Sequence, residues 1–170
     1  GPAATGGHTA GSFNASGTVA APGDLLVSID YSNGGTNPTA SVRVWVNPTA
    51  LGGGITSFAA YNALPGRVFE FTGVFDSGTG TNGYGYAEIR PLTSGTCLLY
   101  AKTNKDAPCK IPGTSWGNIF GSGADYQDSL ECLQLVSVGI NFSAFGLDLN
   151  PPSGPCFNLF GTLTVKTRSS

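Results

Sequence analysis

Period-two alternation of apolar and polar residues is strongest between Asp24 and Val46. In the first run Leu25, Val27, Ile29 and Tyr31 fall on one side, with Leu26, Ser28 and Asp30 on the other. In the second, Val42, Val44 and Val46 share a face, with Ser41, Arg43 and Trp45 opposite. Alternation sustained this long predicts strands. Between the runs stands Ser32-Asn33-Gly34-Gly35-Thr36-Asn37-Pro38, where Gly and Asn supply the positive φ that a tight hairpin loop needs. The pattern predicts a hairpin with arms Asp24–Tyr31 and Thr39–Val46.

The same reading along the rest of the chain predicts strands at Arg67–Phe75, Tyr84–Arg90, Thr96–Lys102, Leu133–Phe142 and Cys156–Lys166. Ser143-Ala144-Phe145-Gly146 suits a helical turn, residues 55–65 fit neither period, and 103–128 is a long polar excursion suited to a surface function. Residues 1–23 are rich in Gly, Ala, Ser and Thr and are expected as an extended segment outside a single domain at 24–170. Within that segment Phe13, Ala15, Gly17 and Val19 alternate with Asn14, Ser16 and Thr18, which suits an edge strand. Short strands separated by turn signals, with no amphipathic helix, predict an all-β fold: an antiparallel β-sandwich or jelly-roll-like arrangement.

Composition narrows the picture. Of 170 residues 11% are charged, 26 are Gly and none is Met, a balance that favours strands and turns over helices. A formal net charge of -2, without a basic run, argues against nucleic acid as a partner. No apolar run approaches the roughly 18 residues needed for a membrane span. The four cysteines, Cys97, Cys109, Cys132 and Cys156, contain no CxxC pair, and the single histidine, His8, lies in the small-residue leader. Disulfides in an oxidising compartment fit better than a zinc site. Of the three pairings that such a set allows, Cys97–Cys109 with Cys132–Cys156 closes the shortest loops and is the expected one.

Candidate chemistry is sparse. One histidine in a leader makes a Ser/His/Asp triad a poor prospect, and no HExxH, GxSxG, GxGxxG or P-loop pattern occurs. Glu70 and Glu88 are the only strand glutamates, and a carboxylate-pair enzyme requires them to face each other in a cleft. No cofactor is expected, with one candidate exception: Asp125, Asp128 and Glu131 crowd three carboxylates into one loop and are candidate Ca2+ ligands. A second oxygen-rich loop holds Asp76, Ser77, Thr79 and Asn82. An intramolecular Lys–Asn isopeptide would draw on Lys166, Asn141 and either Asp30 or Glu88. Asn14-Ala15-Ser16 and Asn141-Phe142-Ser143 fit the N-glycosylation pattern. For a glycan, exposed aromatic rings matter most; Trp116 and Tyr126 in the long loop are the candidate ligand-binding residues, whereas Trp45, Tyr84 and Tyr86 compete with a core role.

Two blocks, GDLLVSIDYSNGGTNPTASVRVWVN and VSVGINFSAFGLDLNPPSGPCFNLFGTLTVKTRSS, resemble a family of secreted bacterial surface-protein β-domains. The resemblance rests on Gly23–Pro38, Trp45, Ile140–Gly146, Cys156 and Val165–Ser170, and departs from the family where Ser137 stands in place of its usual glutamate. It implies a β-rich protein exported to a cell surface, and no catalytic residues. The combined expectation is a non-catalytic extracellular structural or adhesive module. Its partners would be copies of itself or other cell-surface components, with residues 11–20 completing a neighbour's sheet. The alternative is a carbohydrate-binding module.

Overall fold

The computed structural model describes residues 7–31, 35–78, 82–92, 98–113, 118–119 and 126–147. The fold is all-β, and every strand pairing among these residues is antiparallel. Its main layer is a four-stranded sheet of β3 (Leu25–Asp30), β4 (Thr39–Val46), β5 (Phe69–Ser77) and β6 (Gly85–Pro91), in the order β3-β4-β6-β5. The expected hairpin is present in the expected phase, with Leu25 opposite Val44 and Val27 opposite Val42. Val42, Val44 and Val46 accordingly line the inner face together with Ala87, Ile89, Phe69 and Phe71, all buried. β5 bulges between Phe71 and Phe75, yet both rings stay on the apolar side, because Phe71 faces Ile89 and Phe75 faces Ala87.

The opposing layer is assembled from smaller pieces. β1 (Ser12–Phe13) and β2 (Val19–Ala21) form a hairpin. α1 (Phe58–Asn62) follows Ser57, whose hydroxyl accepts from the Ala60 N–H at 3.0 Å as a helix cap. β7 (Leu99–Thr103) pairs with β12 (Val136–Ile140), and a 3-10 turn at Phe142–Phe145 ends in Gly146 at φ +61°. This turn is the one expected at Ser143–Gly146. Phe13, Val19, Leu51, Ile55, Tyr61, Phe145 and Leu147 project from these pieces into the common core. A fully buried Phe or Leu contributes about 1.5–3 kcal/mol, so these insertions hold the second layer down without a continuous sheet.

Two expectations need correction. Residues 7–23 belong to the folded unit. The chain turns at Asn14–Gly17, with Asn14 N–H bonded to the Thr18 carbonyl at 2.9 Å and Gly17 N–H to the Asn14 carbonyl at 2.8 Å. The predicted edge strand through Phe13, Ala15, Gly17 and Val19 is therefore a hairpin: Phe13 and Val19 are buried as the alternation implies, while Ala15 is exposed in the turn. The cause is Phe13, whose ring lies 4.8 Å from that of Tyr61, 5.7 Å from Phe69 and 5.9 Å from Phe71. An aromatic residue inserted among three others outweighs the small residues around it.

The second correction is the disulfide. Cys109 is bonded to Cys132, with Cα atoms 4.9 Å apart, which excludes both Cys97–Cys109 and Cys132–Cys156; Cys97 and Cys156 lie outside the described residues. Loop length misled because the long excursion folds back on itself. β8 (Ile111–Pro112) pairs with β11 (Ser129–Leu130), Ile111 opposite Leu130, and two further steps outward in that register set the two cysteines across from each other. Asn104 ties the same region together, donating to the Cys109 and Glu131 carbonyls at 2.7 Å each and accepting from Leu135 N–H at 2.9 Å.

Residues 55–65, which fit neither period, hold the short helix α1 (Phe58–Asn62). Asn62 in that helix bonds both the N–H and the carbonyl of Phe71 at 2.9 Å, acting as a short extra rung on β5. The strand expected at Cys156–Lys166 lies outside the described residues.

Candidate functional site

The face of the four-stranded sheet turned away from the core is where polar chemistry collects. Alternation sends Arg43 and Trp45 outward from β4, because their neighbours Val42, Val44 and Val46 point inward. Register then places Glu88 opposite Arg43, Tyr86 opposite Trp45, Asp76 opposite Tyr86 and Arg90 opposite Glu70. Two arginines are shared among three carboxylates. Arg43 Nη1 lies 4.0 Å from Asp76 Oδ2, Arg43 Nε lies 4.0 Å from Glu88 Oε2, and Arg90 Nε donates to Glu70 Oε1 at 2.8 Å. Thr72, lifted by the β5 bulge, donates to Glu88 Oε1 at 3.3 Å.

The leader crosses the end of this face. Gly11 N–H donates to the Trp45 carbonyl at 2.8 Å, Asp24 N–H to the Thr9 carbonyl at 2.8 Å, and Trp45 N–H to the Asp24 carbonyl at 3.0 Å. Gly23 permits the close approach: it holds φ +70°, and a Cβ there would collide with the backbone of Ala10 and Gly11. His8 is thereby set over the sheet, its ring 4.3 Å from Trp45 and 5.7 Å from Tyr86, its Nδ1–H donating to Asp24 Oδ2 at 3.0 Å. Tyr84 lies parallel to Trp45 at 6.4 Å, and Tyr86 meets it edge-on at 4.9 Å.

Enclosed by these rings, Trp45 is only 3% exposed although it is on the outer face. Its indole N–H is buried and has no hydrogen-bond partner, and Arg43 Nε is in the same condition. His8 and Asp24 keep 40% and 41% of their side-chain surface, so the rim of the cluster is open to solvent. Burial, reinforced by the Asp24 carboxylate, pushes the Tyr86 phenol up from its ordinary value, so it stays a neutral hydroxyl at physiological pH. The face thus carries aromatic rings and carboxylates, with two donors buried beneath them that make no hydrogen bond. It lacks a nucleophile held against a base, and Glu70 and Glu88 each face an arginine on the open sheet surface.

The residues singled out in the sequence fall elsewhere. Trp116 lies outside the described residues, and Tyr126 opens the two-residue strand β10 (Tyr126–Gln127), opposite Ile119 of β9 (Asn118–Ile119). Of the carboxylate trio, Asp125 is outside the described residues and Asp128 is exposed, its carbonyl bonded to Gly113 N–H at 2.8 Å. Glu131 Oε1 lies 2.5 Å from Lys110 Nζ, an ion pair that occupies the carboxylate. Among the described residues no group of three His, Cys, Asp or Glu side chains gathers as a metal site, and no helix is long and apolar enough to cross a membrane. Lys166 lies outside the described residues, and Asn141 caps the 3-10 turn. A separate open cavity of about 290 Å³ is lined by Thr36, Asn37, Pro38, Ala101, Lys102, Thr103 and Lys105. Lys105 Nζ there donates to Asn37 Oδ1 at 2.8 Å.

Alternation places Trp45 on the outward face, whereas His8 stands in a small-residue leader expected only to be extended. The missing signal is long range, since Asp24 is 16 residues from His8. No protein-family model, curated protein or solved structure matches this chain.

Proposed function

We propose that this chain is a non-catalytic extracellular module, structural or adhesive in role, that acts through its outer surfaces. The observation that carries the reading is the state of the polar groups on the outer sheet face. Its two arginines are shared among three carboxylates, leaving hydrogen-bonding and ring surfaces for contact and no nucleophile held against a base on that face. The Cys109–Cys132 bond supports an oxidising compartment and hence an extracellular or cell-surface location. On the other layer Tyr100, Leu133 and Leu135 are exposed, which supports contact with copies of the chain or with other surface components. Resemblance to secreted bacterial surface domains points the same way.

The test pairs sedimentation of the full chain over a wide concentration range with retention on intact cell walls, and adds a panel of chromogenic glycosides, esters and peptides. Reversible self-association or wall retention is expected, with no turnover above buffer. A monomer that adheres to nothing, or turnover of any substrate, overturns the reading.

A further inference from the structure

Trp45 is an odd choice for its position if packing is all that is asked of it. A phenylalanine would give His8 and Tyr86 a ring to rest on without burying an N–H that finds no acceptor. A buried donor left unpaired is a cost, and in a native structure it calls for a reason. Beside it Arg43 Nε, two positions away on the same face, is buried and makes no hydrogen bond, its ion-pair partner Glu88 Oε2 standing 4.0 Å off. Unspent donors therefore sit among carboxylates that only accept and rings whose faces are apolar.

From this juxtaposition we propose that the outer face of the four-stranded sheet is a binding platform for a neutral saccharide. His8 and Tyr86 would supply the ring surfaces, Trp45 its indole N–H once His8 moves aside, and Asp24 and Glu88 the partners for hydroxyl groups. The proposal rests on the adhesive reading above and names its ligand class. Hydroxyls of a sugar both donate and accept, which suits a surface where acceptors and donors alternate; its C–H faces suit aromatic rings. A charged ligand is a poorer match, because Arg43 stands between Asp76 and Glu88 and Arg90 is taken up by Glu70. His8 is the cover over the indole. It is held by one carboxylate and by ring contacts, it is part exposed, and its displacement is what opens the Trp45 N–H to a ligand.

The test is depletion of the full, disulfide-intact chain from solution by insoluble cellulose, xylan, chitin, mannan and β-1,3-glucan, at low salt and in 0.5 M NaCl (roughly the range where exposed charge pairs are screened). Indole emission is followed in a Trp116→Phe background, so that Trp45 is the reporter. At least one polysaccharide should deplete the protein at both salt concentrations and change the emission saturably. Asp24→Ala and Trp45→Phe should each weaken binding about tenfold, the loss of one hydrogen-bond partner, whereas Lys102→Ala should leave it unchanged. Circular dichroism identifies any variant that fails to fold; for such a variant, Asp24→Asn and Tyr86→Phe take its place. No depletion by any of the five polymers overturns the proposal. So does depletion that both platform variants leave intact, or that salt abolishes, the last marking a charge-driven partner such as a cationic peptide. If self-association or wall retention persists while these fail, the adhesive reading stands and only the saccharide site falls; release of reducing ends from a polymer would strike the adhesive reading itself.

Discussion

Removing the hydroxyl of Tyr61 offers a sharp check on how the leader is fastened to the core. Tyr61 is fully buried on α1, and its O–H donates to the Gly17 carbonyl at 3.0 Å, tying the β1–β2 turn to the helix. Burial pushes its phenol up from 10.0 to about 12, against smaller lowering effects from the Val68 backbone hydrogen bond and the Arg67 charge. Tyr61→Phe should cost about 1–2 kcal/mol near neutral pH, the net value of a hydrogen bond whose acceptor loses its donor. The pH dependence carries more information. Because the folded pKa lies above the unfolded one, the unfolded chain gives up its proton first. The wild type therefore holds this stabilisation in full below about pH 10 and loses it as the pH climbs toward 12. Between about pH 9 and about pH 11 that loss amounts to roughly 1.3 kcal/mol. Urea melts of both proteins at matched pH values isolate the effect, since every other titrating group is common to both. The advantage of wild type over Tyr61→Phe should shrink by about that amount and approach zero near pH 11. An advantage that stays constant across the range would refute the buried-phenol account.

Other expectations follow from the same contacts. A non-reducing peptide map should return Cys109 linked to Cys132, leaving Cys97 and Cys156 as the only partners for each other; a Cys97–Cys109 peptide would contradict the β8–β11 register. Replacing both Cys109 and Cys132 with Ala should lower stability by about 3 kcal/mol, the chain-entropy value for a loop of this length, read as a shift in urea midpoint. Gly23→Ala should displace the leader from the sheet end, because its Cβ would meet the Ala10 and Gly11 backbone and its φ is +70°. The expected cost is about 1–3 kcal/mol with a red shift in Trp45 emission as His8 comes away; a variant as stable as wild type with unchanged emission would contradict the clasp.

The β3–β4 hairpin on one side of the sheet was legible because its physics is local: alternating valines on one arm, alternating Leu, Val and Ile on the other, and a glycine-rich stretch between. The helical turn at Ser143–Gly146 was legible for the same reason, a polar cap in Asn141 and a left-handed glycine at its end. What escaped the sequence depends on pairs far apart in it. Phe13 reads as one apolar residue in a string of small ones until Tyr61, Phe69 and Phe71 are known to surround it. The disulfide followed strand register and not the shortest loop. α1 is only five residues long, too short for a 3.6-residue period to declare itself. At the candidate site, alternation correctly turned Trp45 and Arg43 outward, but nothing in the local pattern could say that Trp45 would then be covered by His8, or that its N–H would lack a partner.

The claim that this module works through the outer face of its four-stranded sheet can be put to amide-resolved NMR of the isotope-labelled chain, titrated with soluble fragments of cellulose, xylan, chitin, mannan and β-1,3-glucan. The account predicts saturable shift changes concentrated at His8–Gly11, Arg43, Trp45, Tyr86 and Glu88, with Leu99–Thr103 and Val136–Ile140 unmoved. Changes confined to the β7–β12 layer, or a spectrum that none of the fragments alters, would contradict it.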